Sequence, residues 1–142
     1  MRRYDLCLVV TLAIFAASCG SGSHTQLQSL AVTPAQAAPV NQSTAQFKAI
    51  GTFTDGHTAE VAAAWTLLPF CPDHAPCALT LPQPGWLTLS NSGIAECTGT
   101  GPAWTIHATA PADINISLSQ ITVKTKLVTA TAQVTCAPPA AS

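Results

Sequence analysis

The run "AWTIHAT" constrains the fold of this chain more than any other feature: Trp104, Ile106 and Ala108 alternate with Thr105, His107 and Thr109. Alternation of this kind places successive side chains on opposite faces of an extended strand, one dry and one wet. The scheme recurs in "AQFKAIGTF", where Phe47, Ala49 and Phe53 oppose Lys48, Ile50 and Thr52. It returns in "ATAQVTC", where Ala132, Val134 and Cys136 oppose Thr131, Gln133 and Thr135. No stretch combines helix length, helical period and caps. "TAEVAAAWTLL" is alanine-rich, yet it follows directly on a hairpin signal and stops at Pro69, which predicts loop and strand.

The punctuation between these runs agrees with a sheet protein. "FTDGHT" sets Asp55-Gly56 between two apolar runs, which predicts a hairpin closed by a type I′ turn with both central residues at positive φ. Further breaks fall at "TPAQAAP", "LPQPG", "SNSG", "TGTGP" and "APADIN". Many short strands separated by turns predict an all-β antiparallel sandwich of about seven or eight strands. A folded segment of roughly 110 residues suffices for one hydrophobic core and not for two.

The first residues have a different character. "MRRYDLCLVVTLAIFAAS" carries two arginines, an apolar run of twelve residues from Leu6 to Ala17, and small residues at Ala16, Ala17 and Ser18. That is the layout of a secretory signal peptide over residues 1–18, and the run is shorter than the roughly 20 residues that a bilayer span requires. A buried N-terminal helix is the alternative, and the small residues and the polar Gly-Ser run that follow speak against it. "AASC" resembles the lipobox of bacterial lipoproteins. The resemblance implies that Cys19 is acylated and becomes the new N-terminus, with residues 19–26 as a flexible tether to the membrane. Because Gly20 is not acidic, analogy with lipoprotein sorting implies the outer membrane if the cell is diderm. Without residues 1–18 the chain keeps three basic residues (Lys48, Lys124, Lys126) against five acidic ones (Asp55, Glu60, Asp73, Glu96, Asp113), a net charge of −2. So few and so scattered cations argue against nucleic acid as a partner.

The run "LQSLAVTPAQAAPVNQSTAQFKAIGTFTDGHTAEV", then Trp65, then "LTLSNSGIAECTGTG" and "WTIHATAP", resembles a bacterial immunoglobulin-like domain of the group 2 type. The resemblance covers residues 27–137 and leaves 138–142 as a disordered tail. It implies an immunoglobulin-like sandwich with Trp65 as its core tryptophan, and a spacer or adhesive role. Three segments depart from the family pattern: the insertion "LLPFCPDHAPCALTLPQPG", the long stretch from Ala112 to Lys126, and four cysteines.

Six cysteines are present; Cys7 leaves with the leader and Cys19 takes lipid, so four remain for an oxidising compartment. Four cysteines allow three pairings. The favoured one joins Cys71 to Cys77 around "CPDHAPC" and Cys97 to Cys136 across a longer loop. Cys71, Asp73, His74 and Cys77 could alternatively hold zinc, but metal fingers usually present closer spacing and a second ligand pair, and exported thiols tend to oxidise. No metal and no cofactor is therefore expected. His24, His57 and His107 read as solvated surface.

No catalytic constellation is legible. The serines lie in turns and in the tether, Glu60, Glu96 and Asp113 are scattered, and "TGTGP" lacks the lysine of a phosphate loop. A non-enzyme is expected: an exported, lipid-anchored module of the cell envelope that binds or spaces a protein or polysaccharide, with no cleft. Two rivals differ in class. Trp86 could stack on a sugar as part of a carbohydrate-binding module, whereas Trp65 and Trp104 read as core. A small hydrolase could also assemble its site from residues that only the fold brings together.

Overall fold

The computed structural model describes residues 25–69 and 84–139. These residues form an all-β sandwich of ten strand segments: β1 (Leu27–Thr33), β2 (Gln36–Ala37), β3 (Ser43–Gln46), β4 (Lys48–Phe53), β5 (Thr58–Glu60), β6 (Ala64–Pro69), β7 (Leu87–Leu89), β8 (Ile94–Cys97), β9 (Trp104–Pro111) and β10 (Leu127–Val134). A short 3₁₀ turn, Leu118–Gln120, precedes β10. One layer is a four-stranded sheet in the order β2-β10-β9-β6. Facing it are two three-stranded sheets, β1-β4-β5 and β3-β8-β7. Their buried residues join in a single core cluster.

Two pairs of segments are single runs that change partner midway. β3 pairs with β8, and β4 with β1. Between them the Phe47 N–H turns aside and donates to Gly93 O at 2.8 Å. Likewise β1 pairs with β4, and after Pro34 the chain crosses to β10. Proline has no N–H to give to a ladder, so the pairing ends where it stands. Counted as continuous runs, the ten segments make eight strands, within the number expected from the sequence. One pairing differs from the expectation of purely antiparallel neighbours: β2 runs parallel to β10, with Gln133 opposite Gln36 and Val134 opposite Ala37. Gln133 N–H and Thr135 N–H donate to Ala35 O and Ala37 O, each at 2.9 Å.

The alternating runs bury the faces read from the sequence. Phe47, Ala49 and Phe53, then Trp104, Ile106 and Ala108, then Ala132, Val134 and Cys136 are all buried, while their alternates are exposed or half-buried. "TAEVAAAWTLL" forms β5, a short loop and β6. Trp65 is half-buried and packs on the rim of the core, so Trp104 is the more deeply buried indole.

The hairpin turn differs from the type I′ reading. Gly56 N–H donates to Phe53 O and Phe53 N–H donates to His57 O, both at 2.9 Å, which encloses a three-residue loop, Thr54 to Gly56. Gly56 alone in that loop has positive φ, +87°. "SNSG" closes in the same way: Gly93 N–H donates to Ser90 O at 3.0 Å and Ser90 N–H to Ile94 O at 2.9 Å, with Gly93 at φ +79°. Three-residue loops with glycine at the left-handed position are the next most common hairpin connection, and one glycine suffices for them. The two glycines differ in surroundings. A Cβ on Gly93 would lie 2.6 Å from Phe47 O and 3.0 Å from the Trp65 ring, whereas one on Gly56 would meet nothing within 4 Å. Gly56→Ala should therefore cost only the left-handed penalty, about 1 kcal/mol, and Gly93→Ala about 3 kcal/mol, as read by urea denaturation. Equal losses at the two positions would contradict the packing described at Gly93.

Candidate functional site

The two ends of the sandwich carry different chemistry. At one end Leu27 N–H donates to Ala112 O at 2.7 Å, Ala112 N–H to Lys126 O at 2.8 Å, and Thr54 N–H to Gln26 O at 2.9 Å. The start of β1, the β4–β5 hairpin and the 112–126 segment are thus held together. At the other end Pro69 pairs in register with Trp104, and Thr98 N–H donates to Trp86 O at 2.9 Å. Here the chain leaves the described residues after Pro69 and returns at Pro84. The eight residues of β9, Trp104–Pro111, connect the ends and span about 23 Å.

Cys97 and Cys136 form a disulfide with Cα atoms 5.6 Å apart. Both residues are buried, and the bond fastens the end of β8 to the chain just after β10. Cys19, Cys71 and Cys77, with His24, Asp73 and His74, lie outside the described residues. Among the described residues no group of three or more His, Cys, Asp and Glu side chains could hold a metal ion.

Trp86 belongs to the Cys97–Cys136 end. Its indole meets Trp104 edge to face, with centroids 6.5 Å apart and planes at 80°, and packs against the backbone of Gly99 and Gly101. The ring is half-buried, so only part of it remains for a ligand. The glycines of "TGTGP" serve this packing, because a Cβ on Gly101 would run into the indole and one on Gly99 would lie 2.8 Å from Trp86 Cβ.

A groove of about 360 Å³ lies between β5 and the segment after β9, where the sequence led us to expect no cleft. Phe53, His57, Glu60, Val61, Ile114 and Leu118 line it. Asp55 holds the lining residue His57: its carboxylate accepts from His57 N–H at 3.1 Å and from His57 Nδ1–H at 2.5 Å. The His57 ring stacks on Phe53, with centroids 4.3 Å apart. Ser117 lines the same groove, but its Oγ bonds to Ser119 Oγ at 3.0 Å and to Gln120 Oε1 at 2.9 Å. Among the described residues no hydrogen bond joins His57 to a serine, so a nucleophile–base–acid chain is not assembled here. What the three residues Phe53, Asp55 and His57 do form is a lock on the hairpin, which the sequence reading missed. Its signal is present in "FTDGHT" as an aromatic and an acid at fixed distances before the histidine.

The other charged candidates stay apart. Glu60 pairs with Lys48 at 2.9 Å from β5 to β4, an exposed contact worth roughly 0.5 kcal/mol or less. Glu96 is exposed on β8. His107 is half-buried on the outer face of β9, 3.3 Å from Thr109 Oγ1.

Two measurements test this description. The backbone N–H and then the ring of His57 hold the Asp55 carboxyl below its ordinary value. Its folded-state pKa being depressed, the lock's contribution is present above about pH 4 and is lost as pH falls through the lowered value. Carbon-detected titration should place Asp55 below the ordinary aspartate value, and Asp55→Asn should flatten the acid limb of the stability profile; a normal Asp55 titration would refute the lock. The disulfide closes a separation of 39 residues, so replacing Cys97 and Cys136 together by alanine should lower unfolding stability by about 4 kcal/mol.

No protein-family model matches this chain, and no curated protein matches it.

Proposed function

We propose that the protein is a non-catalytic, lipid-anchored module of the bacterial envelope, an immunoglobulin-like domain of the group 2 type that spaces or binds an envelope or extracellular component. The observation that carries this reading is the opposition of the two ends. The chain from Cys19 reaches the sandwich at Gln26, beside Thr54 and Ala112. The insertion that departs from the family pattern leaves and returns at the far end, at Pro69 and Pro84, next to Trp86 and the disulfide. An anchor at one end and the junctions of the 70–83 segment at the other suit a domain that holds a binding segment away from a membrane. The Cys97–Cys136 disulfide supports export, since such bonds persist in oxidising compartments. The order of family-like motifs in the sequence, kept on either side of the departing segments, supports the assignment to that family, while the sandwich fold itself serves many functions.

Metabolic labelling with an alkyne fatty acid tests the anchor. Wild type should carry label and fractionate with membranes, and Cys19→Ala should lose the label and appear in the soluble fraction. An unlabelled wild type, or a Cys19→Ala chain that stays membrane-bound, overturns it. A polysaccharide array tests the rival use of the far end. Tight binding abolished by Trp86→Ala would replace the spacer reading with a carbohydrate-binding one.

A further inference from the structure

The end of the sandwich where the tether joins has a surface of its own. Six large apolar side chains are exposed among the described residues, and four of them, Ile114, Leu118, Val123 and Leu127, fall within or beside the 112–126 segment. Val123 and Lys124 occupy the tip of a tight turn: Thr125 N–H donates to Thr122 O at 3.0 Å, and Thr122 N–H to Thr125 Oγ1 at 2.9 Å. The Val123 side chain is completely exposed, and Lys124 and Lys126, which follow it, are exposed as well. Among the described residues neither lysine forms an ion pair, whereas the acids of this end are engaged, Asp55 with His57 and Asp113 with Asn115. Only three lysines lie beyond residue 18, and the third, Lys48, stands at the opposite end of β4, opposite Thr33 in the β1 ladder.

The tether decides what this surface meets. Seven residues separate Cys19 from Leu27. A chain of that length extends to at most roughly 28 Å whatever its conformation. Since Gln26 is fixed to Thr54 by two hydrogen bonds, that leash pulls on this end and not on the far one. We propose that the 112–126 end rests on the bilayer that holds the anchor, with Val123 among the headgroups and Lys124 and Lys126 facing anionic lipid phosphates. The proposal rests on acylation at Cys19 and adds the domain's orientation. A tethered surface needs little intrinsic affinity, because the leash keeps its local concentration high.

Amine acetylation of the mature lipoprotein on phosphatidylglycerol vesicles tests the orientation, with the Cys19→Ala chain in solution as reference. On vesicles Lys124 and Lys126 should react roughly five-fold more slowly than in the reference, and Lys48 should change by less than about two-fold. Val123→Asp, a change at a fully exposed turn, should return the two rates toward the reference with the acyl mass on Cys19 unaltered. Unchanged rates at Lys124 and Lys126 in an acylated protein, or equal slowing at all three lysines, overturn the orientation alone. Absence of acyl mass on Cys19 in the same spectra overturns the anchor on which it rests.

Discussion

The hydrogen bond from Phe47 N–H to Gly93 O joins the two three-stranded sheets into one layer. The run from Ser43 to Phe53 has to serve β8 with its first half and β1 with its second. A strand that changes partner leaves a backbone N–H without a ladder, and a buried unpaired N–H costs about as much as a lost hydrogen bond. Gly93 resolves this by bringing its carbonyl to Phe47 from a left-handed turn against which Trp65 packs. The Phe47 side chain can then point wholly into the core.

That core is built from small parts. Seven of the eighteen buried hydrophobic residues are alanine, and each contributes less apolar area than a leucine or phenylalanine in its place. A sandwich with so slender a core benefits from constraint of the unfolded chain. The Cys97–Cys136 bond supplies it by tying β8, in one layer, to the strand that ends the other. The two cysteines are therefore structural elements of the sheet-to-sheet packing.

The fold turns a linear order into a polarity. β9 carries the chain from Trp104, beside Pro69, to Pro111, next to Ala112, which accepts from Leu27 N–H at the start of β1. Gln26, the Val123 turn, Lys124 and Lys126 collect at one end. Trp86, the disulfide, Pro69 and Pro84 collect at the other. Neither grouping follows from neighbours in sequence, and the proposed envelope role depends on both.

What the sequence alone determined were the strands and their faces. Phe47 to Phe53, Trp104 to Ala108 and Ala132 to Cys136 alternate so regularly that a slip of one residue would put the apolar set in water, so their buried faces could be read directly. The Cys97–Cys136 pair, expected as a tie between the corner strand and the C-terminus, forms a disulfide. The number of residues in a hairpin loop was not legible, because Asp-Gly serves both a two-residue and a three-residue loop and cross-strand register selects between them. The parallel pairing of β2 with β10, the stacking of His57 on Phe53 and the covering of Trp86 by Gly99 and Gly101 were likewise decided by tertiary structure. Each joins residues whose local pattern is neutral. Periodicity records which way a side chain points relative to its own strand, and only the assembled layers determine what stands opposite it.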